Sequence, residues 1–145
     1  MLYYIQRSVN SNTVVYAAHV DARGHIDSRA PVDAYWRWYN VDGHRKPLNL
    51  IERIMAYGVQ SVANNGSVGT FAFKVAGFPE RELLLDQDSY GHPEAVAQLG
   101  GRRARLIYVY LQVDNRGLLP SVTAMDLFGI DKNTGKALRE HVIPQ

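Results

Sequence analysis

Polar side chains that could bind a ligand or transfer a proton are spread along the whole chain. Two of them, Arg53 and Tyr57, lie four residues apart, a spacing that places both on one side of a helix, with Glu52 at its margin. Together they could bind an anionic or carbonyl-bearing ligand, because a guanidinium offers a forked set of donors beside the phenol. The complete candidate set is Arg7, Asp33, Tyr35, Arg37, Arg53, Tyr57 and Asp126.

Arg53 also has a structural alternative, in which its guanidinium pairs with Asp33 or Asp126 and ties the helix to a sheet. Asp126 fits this role because its neighbours in the sequence are apolar, and a carboxylate is costly to bury unless it is paired. We favour the structural pairing. In the other hypothesis, Tyr57, Arg53 and one of the two carboxylates carry out acid–base chemistry on a substrate.

The common cofactor and metal patterns do not occur in the sequence. There are no cysteines, which excludes disulfides, thiolate metal sites and a cysteine nucleophile. None of the five histidines lies two or four residues from another, the spacings at which two imidazoles bind one metal locally. Phosphate-binding loops, dinucleotide fingerprints and zinc-protease helices are absent as well. We therefore predict neither a cofactor nor a metal.

One acidic segment begins like a calcium loop, with Asp86 and Asp88 at the first and third places and Gly91 at the sixth. Its fifth place is Tyr90 and its twelfth is Ala97, where a calcium loop carries ligands. We therefore predict an acidic turn at this segment.

The charge and hydropathy of the chain predict neither a nucleic-acid partner nor a membrane span. The formal net charge is only +2, and the one basic cluster, at 102–105, opens a strand. No apolar run approaches the roughly 20 residues that a spanning helix needs. The first residues lack a basic segment followed by an apolar one, so the chain as written is expected to be cytoplasmic, or exported if a signal was removed.

Short runs of β-branched and aromatic residues, separated by Gly, Asn, Asp and Pro, predict a single mainly β domain over residues 1–145. We expect an antiparallel meander of about ten strands, closed as a barrel or packed as a two-sheet sandwich. One short helix over 47–57, after the third strand, would pack its apolar residues on the sheet. The predicted strands are 2–8, 13–21, 32–40, 59–63, 67–76, 81–86, 94–99, 102–114, 121–130 and 136–142.

The longest predicted strand, 102–114, has two faces of different character. Arg105, Ile107, Val109, Leu111 and Val113 share one face, and the aromatic and polar residues of the strand share the other. Together with the Tyr, Trp and Arg residues of 32–40, the second face could line a ligand cavity. In the alternative, which we favour, these rings lie at the rim of a packed core, because Tyr commonly buries its ring while its hydroxyl reaches water.

Several short blocks along the chain together resemble a bacterial family known as DUF4833, a domain of unknown function. The blocks are Tyr4-Ile5-Gln6-Arg7-Ser8 with Asn12, Val14, Val15 and Tyr16; Pro31-Val32 with Tyr35-Trp36 and Tyr39; Arg53 with Ala56-Tyr57-Gly58; and Leu127-Phe128-Gly129 with Asp131 and Thr134-Gly135. The resemblance marks Gln6, Arg7, Tyr35, Arg53 and Tyr57 as matching positions. The resemblance implies no reaction. Many members of the family look exported, so it also implies that this protein could be exported.

Three functional hypotheses follow. The first is a binding module that receives a small amphipathic ligand or a protein partner through its Tyr/Trp/Arg-rich face. The second is a small cofactor-free enzyme of lyase, isomerase or hydrolase type that uses Tyr, Arg and a carboxylate inside a barrel. The third is a homodimer formed through the aromatic face, since Tyr, Trp and Arg are common interface anchors.

Overall fold

A computed structural model describes residues 1–64, 70–118 and 120–144 of the chain. Strands make up 60% of the structure and helix 4%, which confirms the mainly β prediction. The start of the predicted strand 67–76 lies outside the described residues. The elements are β1 (Tyr3–Arg7), β2 (Asn10–Ala18), β3 (Val32–Trp38), β4 (His44–Pro47), α1 (Leu50–Met55), β5 (Val59–Asn64), β6 (Phe71–Val75), β7 (Phe78–Gln87), β8 (Pro93–Leu99), β9 (Arg102–Asp114), β10 (Ser121–Asp131) and β11 (Ala137–Val142).

All eleven strands belong to one sheet that branches at β9. Strand β10 pairs with one edge of β9 along most of its length, and β11 continues the sheet beyond β10. The other edge of β9 pairs with β8 near its start and with β1 further along. Two arms therefore leave the same edge of β9: a first arm of β1–β4 and a second arm of β5–β8. Because the described part of the sheet does not close, the fold is sandwich-like.

The strand pairs of the described residues are antiparallel except β1 and β9, which are parallel and place Ile5 opposite Val109. The predicted antiparallel meander therefore describes the pairing of neighbouring strands but not the β1–β9 junction. Turn residues specify pairing between neighbours in the chain, whereas β1 reaches β9 because both strands bury apolar side chains on the same face of the sheet.

The core lies between the inner faces of the two arms and is closed by β9 and β10. A β-bulge at Ile107 reverses the alternation of β9, so Leu106 before the bulge and Val109 after it both face the core. The predicted two-face division therefore holds after the bulge, where Val109 and Leu111 face the core, and is wrong before it, where Leu106 and not Arg105 faces the core. Gly129 lies opposite the bulge, where an added Cβ would be 2.7 Å from the Arg105 carbonyl oxygen.

Helix α1 is short and begins with a capping box. The Asn49 side chain accepts a hydrogen bond from the Glu52 amide at 2.8 Å, and the Glu52 carboxylate accepts one from the Asn49 amide at 2.9 Å. Pro47 ends β4, opposite Tyr35, so the helix follows the fourth strand and not the third. Strand β4 escaped prediction because its four residues are all exposed and carry no apolar alternation.

The apolar side of α1 faces solvent. The exposed fractions are 67% for Leu50, 74% for Ile51, 53% for Ile54 and 70% for Met55, and no residue of the helix is buried. The predicted packing of this side on the sheet is therefore wrong. In the described residues, no helix has the length and apolar character needed to cross a membrane.

Candidate functional site

An apolar cavity of about 270 Å³, here called the inner cavity, lies between the inner faces of the two arms. Ile5 of the first arm, Leu83 of the second arm and Val109 of β9 lie on three of its sides. Met55, which also lines the cavity, is largely exposed and marks the place where the cavity opens to solvent. The other lining residues are Tyr3, Ala56, Tyr57, Val75, Gly77, Phe78, Arg81, Leu106, Leu111, Val122, Met125, Leu127 and Pro144.

Tyr3 brings a polar group to this apolar lining. Its side chain is 1% exposed, and its hydroxyl has no hydrogen-bond partner among the described residues. Its ring stacks on Tyr16 with centroids 4.4 Å apart, and the Tyr16 hydroxyl donates to the Tyr57 carbonyl oxygen at 2.6 Å. Burial raises the pKa of Tyr3 and of Tyr16 well above the ordinary value, so both phenols stay neutral at physiological pH.

Two glycines fix the segment that carries Tyr57 against the second arm. The Gly77 amide donates to the Ala56 carbonyl oxygen at 2.7 Å, and the Ala76 amide donates to the Gly58 carbonyl oxygen at 2.8 Å. A Cβ on Gly58 would lie 1.8 Å from the Arg53 carbonyl oxygen, and one on Gly77 would lie 2.9 Å from that of Ala56. Glycine is required here because the backbones approach too closely for a side chain.

Four side chains, here called the Trp36 cluster, meet beside the inner cavity: Arg7, Trp36, Glu52 and Tyr57. The Arg7 guanidinium carbon lies 4.7 Å from the indole centroid, and the Tyr57 ring meets the indole edge-on at 5.4 Å. The indole Nε1 donates to Glu52 Oε2 at 3.1 Å. Burial raises the pKa of Tyr57, with the Arg7 charge acting in the opposite direction, so this phenol is also neutral.

A second cavity of about 320 Å³, here called the polar cleft, lies between β3 and β5, where the ends of the two arms approach each other. Asp33 and Tyr35 of β3, Arg45 of β4 and Arg53 of α1 supply its polar lining. Arg45 forms an ion pair with Asp33, and its guanidinium carbon lies 3.9 Å from the Tyr35 ring centroid. The remaining lining is Val32, Ala34, Pro47, Leu48, Gly58 and Val59.

The predicted pairing of Arg53 with Asp33 or Asp126 is wrong. Asp33 pairs with Arg45, while Asp126 accepts hydrogen bonds from Arg139 Nε at 3.0 Å and from His141 Nδ1 at 2.8 Å on the outer face of the sheet. Among the described residues, the guanidinium of Arg53 donates only one long hydrogen bond, at 3.5 Å, to the Leu48 carbonyl oxygen.

The predicted candidates fall into three places. Arg7 and Tyr57 meet in the Trp36 cluster, and Asp126 lies apart from both cavities. Asp33, Tyr35 and Arg53 line the polar cleft, and Arg37 lies at its margin, 5.6 Å from the Tyr35 ring centroid. Arg53 and Tyr57 do not share a helix side, because α1 ends at Met55.

Three residues of these sites were missed by the sequence analysis. Trp36 alternates with the polar residues of its strand, which marks it only as an inward-facing residue. Arg45 lies in the exposed strand β4, which has no sequence signal, and Tyr3 has the character of an ordinary strand residue. Only burial and proximity in the folded chain distinguish them.

The acidic segment forms the predicted turn. Asp88 accepts hydrogen bonds from the amides of Tyr90 at 2.8 Å and His92 at 2.9 Å. The part of the chain that the structure describes has no group of three or more His, Asp or Glu side chains placed to bind a metal.

The profile of DUF4833, a domain of unknown function, matches residues 3–141, almost the entire chain. The chain belongs to the DUF4833 family. No significant match links it to a curated protein or to a solved structure.

In this DUF4833 domain, the positions that the sequence analysis matched to the family lie in different places in the fold. Arg7 and Tyr57 belong to the Trp36 cluster, and Tyr35 and Arg53 line the polar cleft. Gln6 is exposed on the outer face, opposite Tyr110. The family resemblance thus includes residues of two neighbouring sites on opposite sides of Gly58.

Proposed function

We propose that this domain binds a small amphipathic molecule in the inner cavity. The observation that carries the proposal is the apolar lining of this cavity, which includes Tyr3, whose buried hydroxyl has no hydrogen-bond partner among the described residues. An unpaired buried hydroxyl costs roughly 1–3 kcal/mol, and a polar atom of a ligand would remove this cost by pairing with it. Apolar walls with one fixed polar group are typical of small-molecule sites.

The size and charge of the cavity narrow the class of ligand. One water takes up roughly 30 Å³ in the liquid, so a cavity of about 270 Å³ accommodates about ten non-hydrogen atoms. Arg81 lines the cavity, but its guanidinium is paired with Glu140 through bonds of 3.0 and 2.5 Å, so it adds no uncompensated charge. A neutral ligand is therefore favoured, such as an alkylphenol or a medium-length alcohol.

The arrangement of the candidate residues favours binding over catalysis. Tyr57 borders the inner cavity, Arg53 and Asp33 line the polar cleft, and Asp126 lies on the outer face. Neither of the two cavities brings Tyr57 together with Arg53 and either carboxylate. The position of the inner cavity between two arms likewise favours a small molecule over a protein surface.

Calorimetric titration with 4-butylphenol and with butylbenzene tests the proposal, because the two probes differ only in the hydroxyl group. In Tyr3→Phe we expect the affinity for 4-butylphenol to fall about tenfold, the equivalent of about 1.4 kcal/mol, while the affinity for butylbenzene is kept. Tyr4→Phe, which changes an outward-facing ring, is the matched control and should leave both affinities unchanged. Absence of binding to both probes, or an unchanged preference in Tyr3→Phe, would overturn the proposal.

A further inference from the structure

The polar cleft carries more positive than negative charge. Two guanidinium groups, those of Arg45 and Arg53, line it together with one carboxylate, that of Asp33. The Asp33 carboxylate compensates Arg45 only, and Arg53 has no carboxylate partner among the described residues. One positive charge in the cleft is therefore left for an external anion to neutralise.

Both arginines retain unused donors. Arg45 uses Nη2 for Asp33, and its guanidinium lies over the Tyr35 ring, which holds the plane of the group in place. Its Nε and Nη1 atoms, together with most of the donors of Arg53, have no partner in the described structure. A carboxylate or phosphate accepts a pair of such donors with favourable geometry.

The rest of the cleft lining is apolar, and part of it is a strand edge without a neighbouring strand in the described residues. Val32, Leu48 and Val59 contribute aliphatic surface beside the charged groups. Strand β4 pairs with β3 only from Tyr35 onward, so among the described residues no strand is hydrogen-bonded to this edge of β3 at 32–34. The cleft thus suits an organic anion with an apolar body, and not a bare inorganic ion.

We infer that the polar cleft is a second binding site, which takes a small organic anion and holds its carboxylate or phosphate group between Arg45 and Arg53. No lining residue is shared with the inner cavity. The anion site therefore does not depend on the function proposed for the inner cavity, and either site can be disproved without the other.

Titration of the full chain with benzoate and with phenyl phosphate, at low ionic strength, tests the anion site. In Arg53→Gln we expect the affinity for both probes to fall about tenfold, with partial recovery in Arg53→Lys. In Asp33→Asn we expect affinity to rise about threefold, because the substitution frees a donor of Arg45 and removes a like charge. Comparison of the two probes shows whether the site prefers a carboxylate or a phosphate.

Arg23→Gln is the matched control, since it removes an exposed arginine that does not line the cleft. Equal losses of affinity in Arg53→Gln and Arg23→Gln would overturn the inference by showing that only the net charge matters. Weaker binding in Asp33→Asn would contradict the competition between Asp33 and the ligand. A changed benzoate affinity in Tyr3→Phe would place the anion in the inner cavity and would also overturn the inference.

Discussion

The indole of Trp36 brings together three side chains from different parts of the fold. Arg7 comes from β1, Glu52 from α1 and Tyr57 from the segment after the helix. The indole offers each a different interaction: its face to the guanidinium, its N–H to the carboxylate and its ring to the phenol. The charges of Arg7 and Glu52 are thus held beside a neutral Tyr57 at the edge of the inner cavity.

Asp126 gives the first prediction at the residue scale, which concerns acid stability. Hydrogen bonds from His141, and secondarily from Arg139, lower the pKa of this carboxyl. A lower pKa in the folded state means that the ionised group stabilises the fold above the ordinary pKa of Asp, about 3.9, and that this contribution is lost as the pH falls through the folded pKa.

Asp126→Asn should therefore lower the free energy of unfolding at pH 7 and reduce its further fall below about pH 4. Urea unfolding at a series of pH values measures both effects. The control is Glu82→Gln, which removes an exposed carboxylate without an ion-pair partner in the described structure. A pH dependence in Asp126→Asn equal to that of the unsubstituted protein would contradict the prediction.

At the scale of elements, α1 shows that apolar periodicity indicates a helix but not the surface it contacts. The capping box of Asn49 and Glu52 fixes where the helix begins, and the indole N–H of Trp36 donates a hydrogen bond to the Glu52 carboxylate. The helix is therefore attached through its polar residues. Its exposed apolar residues form the kind of patch that marks an interaction surface, and a homodimer remains a prediction.

Substitution of the exposed apolar side tests the attachment of α1. We expect Leu50→Ser combined with Ile51→Ser to change the free energy of unfolding by no more than about 0.5 kcal/mol, because neither side chain is buried. Leu83→Ala, in the core, should cost about 2–5 kcal/mol in the same urea assay. A large loss of stability in the double variant would show that this side of the helix is buried in solution.

At the scale of the whole molecule, β9 connects the two arms and the β10–β11 pair. Its start pairs with the second arm, its later part with the first arm, and its far edge with β10. The parallel contact with β1 joins the first strand of the chain to one near its end, and such long-range pairing slows folding. Both cavities depend on this junction, since it sets how the arms face each other.

Hydrogen exchange gives a prediction for the whole molecule. Amides of β9 should exchange most slowly, because strands flank both of its edges, and amides of β4, β5 and β11, each paired on one side in the described structure, should exchange fastest among the strands. If residues 1–145 form one domain, Val14 of the first arm and Leu85 of the second should open with the same free energy. Separate opening of the two arms would contradict the single domain.

The sequence by itself determined the local features of this protein. Alternating β-branched and aromatic residues between Gly and Asn turns predicted most strands, and the spacing of apolar residues around Ile51 and Ile54 predicted the helix. The candidate residues were also chosen by type, and Tyr35, Arg53 and Asp33 do share a cavity. The strand and helix predictions depend on residues only a few positions apart, whereas the fold was needed to bring Arg53 to the cavity that Asp33 and Tyr35 line.

Only the tertiary structure decided which strands meet, which side of α1 faces solvent and which charges pair. Three features show this: the β1–β9 contact, the bulge at Ile107 and the pairing of Asp33 with Arg45. In each, the sequence around a residue does not indicate which residue it will contact. The physical reason is that burial is optimised over the whole chain, so the partner of a polar side chain is set by the fold that brings it close. Arg53 was expected to form an ion pair with Asp33 or Asp126. It instead lines a cleft in which the Asp33 carboxylate is paired with Arg45.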